Sequence, residues 1–252
     1  MAEALGLYWL APVLVAPLIG SFLGTLIQRL PAGRKVVFGR SSCPHCHHLL
    51  GLRDLVPILS WLVSRGRCRY CGARLGLFYP AIELAAIVVA LWAAALLSGW
   101  LVWVGCALGW TLLALVVIDQ HHFTLPDALT LPLIPAGLAV AYLAAPDSLI
   151  DHGIGAAAGF AAFLLMGWAY RALRGREGLG LGDAKLLAAA GAWVAWQGLP
   201  GVVLLAAAAA LAVVLVQSLA GRRLTLTSRV AFGPYLCFGT WLVWLYGPLV
   251  FP

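Results

Sequence analysis

Residues Leu84–Ile118 read LAAIVVALWAAALLSGWLVWVGCALGWTLLALVVI, 35 residues without a charge. A helix crosses the roughly 30 Å hydrocarbon core of a bilayer in about 20 residues. The run is therefore too long for one crossing and right for two, with the break at Ser98-Gly99. Its apolar character is unbroken, whereas strands of a transmembrane barrel alternate in polarity over about ten residues. The stretch sets the class: an all-α, polytopic membrane protein.

The flanking chain repeats the pattern. Leu7–Gln28 is uncharged and forms the first span, with Gly20 and Gly24 spaced as a small-xxx-small face for close helix contact. It lacks a basic leading segment, so it is expected to be retained and not cleaved as a signal peptide. Ala128–Pro146 and Gly153–Tyr170 follow, separated by a short segment holding Asp147, Asp151 and His152. Leu186–Gly221 is again a double length, interrupted at Gln197-Gly198-Leu199-Pro200-Gly201. Val230–Pro252 supplies the last span, starting near Gly233-Pro234, since proline suits a first helical turn. The expected count is eight transmembrane helices. Composition agrees: of 252 residues 63% are hydrophobic and 10% charged, against about 25% charged in soluble domains. An ordinary soluble globule and a disordered chain are excluded.

Charge gives the orientation. Of 16 Lys and Arg, nine lie in Arg29–Pro80; the others are Arg171, Arg174, Arg176, Lys185, Arg222, Arg223 and Arg229. Each follows an odd-numbered span, and the opposite side receives Glu3, Asp147 and Asp151. By the positive-inside rule the basic side is cytoplasmic and both termini are periplasmic. The net charge of +7 thus reads as cytoplasmic loops on a lipid bilayer, with no call for nucleic acid.

The loop after the first span carries Cys43-Pro44-His45-Cys46 and Cys68-Arg69-Tyr70-Cys71, two C-x2-C pairs 21 residues apart. Two such knuckles complete a tetrahedral S4 shell, the common structural zinc arrangement. The competing reading is a pair of disulfides, which are rare in a reducing cytoplasm. Cys43, Cys46, Cys68 and Cys71 fill all four positions, which leaves no open site for chemistry and makes the metal structural. His45, His47 and His48 are alternative ligands or polar surface. Cys106 and Cys237 sit inside spans as small packing residues. Residues 29–80 read as a zinc-binding subdomain inserted into a single transmembrane domain, 1–252.

Ionisable residues at membrane depth cost roughly 2.5–3.5 kcal/mol each on insertion, so they mark function by default. Asp119 ends the third span and Asp183 opens the sixth, both at the cytoplasmic side. Two carboxylates sharing a site cannot both ionise cheaply. One then takes a proton from an attacking water while the other, protonated, polarises a peptide carbonyl, which is aspartic peptidase chemistry. Gly180 and Gly182 let a backbone approach Asp183 closely. The plain alternatives are an N-cap role for Asp183, a hydrated helix end at Asp119, and a turn and cap at Leu125-Pro126-Asp127. His121 and His122 read as solvated.

Taken together these residues resemble the bacterial prepilin peptidases, the type IV leader peptidases of pilus and type II secretion systems. The motifs that carry the resemblance run in order along nearly the whole chain. They are Gly20-Ser21-Phe22, Arg29-Leu30-Pro31, the two cysteine pairs bracketing Pro57-Ile58-Leu59-Ser60-Trp61-Leu62, and Tyr79-Pro80-Ala81-Ile82-Glu83. Ile118-Asp119 with Leu125-Pro126-Asp127, Gly180-Leu181-Gly182-Asp183-Ala184-Lys185 and Phe232-Gly233-Pro234 complete the set. Departures are His121, Phe78 and Ala231, where the family often has an acid, an arginine and a proline.

The resemblance implies an aspartic endopeptidase that removes a short basic leader from prepilin or pseudopilin precursors at the cytoplasmic face of the bacterial inner membrane. Asp119 and Asp183 would be its catalytic pair, with Asp127, Gly180, Gly182, Lys185 and Glu83 in support. It also implies N-methylation of the new terminus with S-adenosylmethionine. No Rossmann fingerprint for that cofactor exists in the chain, so peptidase activity without methyl transfer is the alternative. A proton-coupled carrier or an assembly scaffold are readings from other classes. The first would show inverted repeats and acids at mid-membrane, and the second leaves the acids unexplained.

Overall fold

Apolar residues in unbroken runs leave the backbone no partner but itself, and in a bilayer that makes helices. The computed structural model describes residues 10–36, 39, 41–175, 180–221 and 231–248. The expected limits Leu7, Val230 and Pro252 lie outside the described residues, as do Glu3, Arg40, Arg176, Arg222, Arg223 and Arg229. The helices are α1 (Leu10–Arg29), α2 (Leu59–Val63), α3 (Phe78–Leu96), α4 (Leu101–His122), α5 (Asp127–Ala144), α6 (Leu149–Arg174), α7 (Leu181–Leu219) and α8 (Gly233–Tyr246). Among the described residues there is no strand, only two isolated bridges. Six helices, α1 and α3 to α7, are long and apolar enough to cross a membrane. Contacts divide the chain into two units, Met1–Ala114 and Leu115–Pro252.

In the first unit, α1 packs on α3 through the expected glycine face. A Cβ at Gly20 would lie 2.5 Å from Glu83 Cα, and one at Gly24 2.7 Å from the Tyr79 ring. Ala86, Ala90 and Ala93 continue the small-residue seam and are fully buried. Without a hydrophobic drive between helices in lipid, such close backbone packing is what holds them. The Trp110 indole N–H, buried, donates to the Ala86 carbonyl at 2.9 Å. The expected break is where the structure turns, between Leu96 and Leu101 with Gly99 at φ +60°.

In the second unit the first half of α7 is central. Gly155 and Gly159 of α6 meet the α7 backbone at Gly191 and Leu187. Gly137 of α5 lies under Trp193, whose indole donates to the Leu133 carbonyl at 2.9 Å. The break in α7 falls at Ala195 (φ 57°, ψ 179°), two residues before the interval expected from the sequence. Along α8 the partners show what happens there. Cys237, near the start of α8, lies within reach of the Asp183 charge, and Trp244, farther on, packs on Trp193, so α8 runs in the same direction as the first segment. Gly239 and Val243 meet Val202 and Gly198 of the second, in reversed order. The chain therefore turns back across Ala195, and the 39-residue run is two helices. His152 and Asp151, from the first turn of α6, hold this corner. The His152 ring Nδ1 bonds the Ala192 carbonyl at 2.9 Å, and Asp151 accepts from Trp196 and Gln197 at 3.1 and 3.0 Å.

Candidate active site and metal centre

Asp119 lies in the last turn of α4 and is only 6% exposed. A hydrogen bond from Phe123 N–H to the Asp119 carbonyl (2.9 Å), with Phe123 at φ +53°, closes the helix. Residues 124–126 then lead into α5. The Asp119 carboxylate accepts from the Gly233 backbone N–H. A Cβ at Gly233 would stand 2.6 Å from Asp119 Oδ2, so a larger residue there would push that carboxylate aside.

Asp183 is at the third position of α7. The helix is capped by Gly180, whose backbone N–H is a donor to the Asp183 carboxylate. The N-cap alternative for Asp183 is thereby corrected: the cap is the glycine, and the acid reaches back from the first turn toward the cavity. Negative charge near a helix N-terminus is electrostatically favourable. Asp119 is close enough for its charge to act on Asp183.

Both carboxylates open into one cavity of about 300 Å³, lined also by Phe123, Thr124, Leu125, Asp127, Gly180, Gly182 and Lys185. Asp127 begins α5 and accepts both of its bonds from Lys185 Nζ, at 2.7 and 2.8 Å. This pair ties the start of α5 to the start of α7 across the mouth of the cavity. Gly182 faces Leu125, with room for its hydrogen but tight for a Cβ at 3.1 Å. His121 and His122 are exposed and do not line the cavity. Sequence reasoning missed Gly233 as part of this site, although a glycine directly before the proline that opens the last helix was a usable signal. It also missed the cavity walls Phe123 and Thr124.

Glu83, expected in support of the dyad, is a feature of the first unit. It is buried on α3 and accepts the Ile58 backbone N–H at 2.7 Å.

The four loop cysteines converge, with their sulfurs all within 4.8 Å of one another. Two knuckles bring them there, and they share one backbone plan. Cys43 N–H bonds the His48 carbonyl and Cys68 N–H the Ala73 carbonyl; His47 and Gly72 then turn back with positive φ onto Cys43 and Cys68. Bridges Ser42 to Leu49 and Arg67 to Arg74 close each knuckle. The Cys43 and Cys71 sulfurs are 4.0 Å apart, close to the roughly 3.8 Å edge of a tetrahedron with 2.3 Å zinc–sulfur bonds. Backbone N–H groups of Cys46, then His45, hold the Cys43 thiol down to about 6. These donors fit a four-thiolate metal centre.

Comparison with known proteins gives the family. Residues 14–97 match the bacterial peptidase A24 N-terminal domain, and residues 106–215 the type IV leader peptidase family. A prepilin leader peptidase/N-methyltransferase of Aeromonas hydrophila is 39% identical over 96% of this chain and 91% of its own length. The chain belongs to the type IV leader peptidase family. Similarly named proteins of Dickeya chrysanthemi and Burkholderia pseudomallei strain K96243 are 39% and 45% identical. The first alignment covers 90% of this chain and 88% of the relative, the second 83% and 68%. No solved structure matches the chain. The cysteine knuckles fall in the N-terminal family region and both cavity acids in the leader peptidase region.

Proposed function

We propose that this chain is a prepilin leader peptidase that also methylates the amino terminus it exposes. The observation that carries the reading is the shared cavity of Asp119 and Asp183 in a member of this family. The ionised member takes a proton from water as the water oxygen attacks the scissile carbonyl carbon. The protonated member gives its proton to the carbonyl oxygen. Collapse of the tetrahedral intermediate returns a proton to the leaving amine, and the pair is restored. Gly180 leaves space for an extended segment of substrate beside Asp183, while Gly182 lets the start of α7 pack on Leu125. Lys185 and Asp127 set the spacing of the two helix starts that carry the cavity.

The four cysteines hold zinc, which folds residues 29–80 as a structural subdomain within a single transmembrane domain spanning 1–252. S-adenosylmethionine, when bound, would supply the electrophilic methyl group for the free amine. The reversal of α7 at Ala195 and the apolar α8 support eight crossings in place of six. With the basic loops inside, the enzyme sits in the bacterial inner membrane, both termini periplasmic and the cavity toward the cytoplasm. Its substrates are prepilin or pseudopilin precursors.

Purified protein incubated with a synthetic prepilin and S-adenosylmethionine tests both halves by mass spectrometry. The expected product begins directly after the leader glycine and carries one added methyl. An uncut precursor refutes the peptidase reading, and a cut but unmethylated product refutes the methyl transfer.

A further inference from the structure

The segment between the two cysteine knuckles leaves its apolar side chains uncovered. Leu52 and Val63 are 88% and 75% exposed, and Leu55, Val56, Leu59 and Leu62 are exposed with them. On α2 these residues share a side: Leu59, Leu62 and Val63 point outward, while Trp61 turns the other way to lie over Gly66. Isolated exposed leucines need no explanation, but a contiguous group does.

The anchoring of α2 says what covers it. Ile58, directly before α2, has φ 61° and ψ −52°, and its neighbours close a tight turn from Leu59 N–H to the Pro57 carbonyl. A β-branched residue at positive φ is strained. Its N–H is held by the buried carboxylate of Glu83 at 2.7 Å. Glu83 is five residues inside α3, and opposite it on α1 stands Gly20, nine residues before the charged end at Arg29. At 1.5 Å per residue these positions are roughly 7 and 13 Å inward from the helix ends. The start of α2 is thus pinned at the depth of two helices that themselves span the bilayer. Arg53, Arg65 and Arg67, within or next to the apolar group in the chain, are all exposed, and residues 41–77 hold five arginines against the single Asp54. Exposed apolar side chains interspersed with arginine are the composition of a helix that lies in the lipid interface, with cations on anionic headgroups.

We propose that Leu52–Val63 is a membrane-seated element: Leu52, Leu55, Leu59, Leu62 and Val63 enter the acyl boundary of the anionic leaflet, and Arg53, Arg65 and Arg67 meet its headgroups. The zinc module is then fixed at the bilayer surface by its own apolar foot as well as by its two flanking spans. This goes beyond the proposed catalysis and does not depend on it.

The test is a nitroxide at Val63→Cys, with Gly76→Cys as an exposed loop control. Both labels are placed in a Cys106→Ala, Cys237→Ala background, zinc-loaded and reconstituted in phosphatidylglycerol–phosphatidylethanolamine nanodiscs. The expected ratio of oxygen to nickel-chelate accessibility at position 63 is about fivefold that at 76 or more, as for a buried interfacial site. Adding Leu59→Asp should return the label to water-like values while zinc content is kept. Water-like values at 63 in the parent protein overturn the proposal. So do values that turn apolar only once a prepilin is added, which would make the surface a substrate dock.

Discussion

Gly233 stands against Asp119 so closely that a methyl group on it would come 2.6 Å from the carboxylate oxygen. The glycine does two things at once, since its N–H also donates to that carboxylate. It fixes where one of the two cavity acids can be. Gly233→Ala should therefore lower kcat/KM for prepilin cleavage by about 100-fold, the scale of a 1 Å misplacement at a reacting group. Gly153→Ala, whose Cβ would meet nothing within 4 Å, should leave cleavage unchanged. Equal activity in the two variants would remove Gly233 from the site.

Lys185 and Asp127 bind in a two-pronged pair, but Asp127 is more than half exposed. Exposed pairs contribute little to stability, so Lys185→Met should change it by less than about 1 kcal/mol. Cleavage should fall by about tenfold because the starts of α5 and α7 lose their tie. Asp127→Asn should give a similar loss, and the double variant no more than either alone. Additive losses would show that the two residues act separately.

The reasons some of this was readable from sequence and some was not are physical. Uncharged runs and the glycine spacing on α1 determine helices and their contact, because lipid leaves little else to vary. The cysteine spacing likewise brought four sulfurs together, since each knuckle is a local turn. The corner at Ala195 was displaced from the expected Gln197-Gly198-Leu199-Pro200-Gly201 because the break is set by partners far along the chain. His152 takes the Ala192 carbonyl, and Asp151 takes Trp196 and Gln197. The N-cap of α7 went to Gly180 because the Asp183 side chain is needed one turn further in. Gly233 was read only as the opening of the last helix, since its place in the site is set by Asp119, more than a hundred residues earlier.

Backbone contact between α6 and α7 makes a stability prediction. A Cβ at Gly191 would overlap the Gly155 carbonyl. Gly191→Ala should lower thermal stability in detergent by about 1–3 kcal/mol, the usual cost of overpacking. An unchanged unfolding midpoint would mean the two helices separate without cost.

One zinc per chain is expected by elemental analysis. Chelation, or Cys43→Ser, should speed tryptic cutting at Arg53, Arg65 and Arg67. Affinity should weaken as pH falls, because protons compete for the thiolates. Cys43, held down to about 6, favours the ordered knuckle at neutral pH and loses that contribution as pH drops through its value. Metal-free protein with unaltered protease resistance would contradict a structural role.

The most direct test of the two-carboxylate site is cleavage of a synthetic prepilin by wild type, Asp119→Asn and Asp183→Asn, each purified and shown to be folded by its unfolding midpoint. The expected result is cutting after the leader glycine by wild type alone. Cutting at the wild-type rate by either variant would contradict the claim that these two acids perform the chemistry.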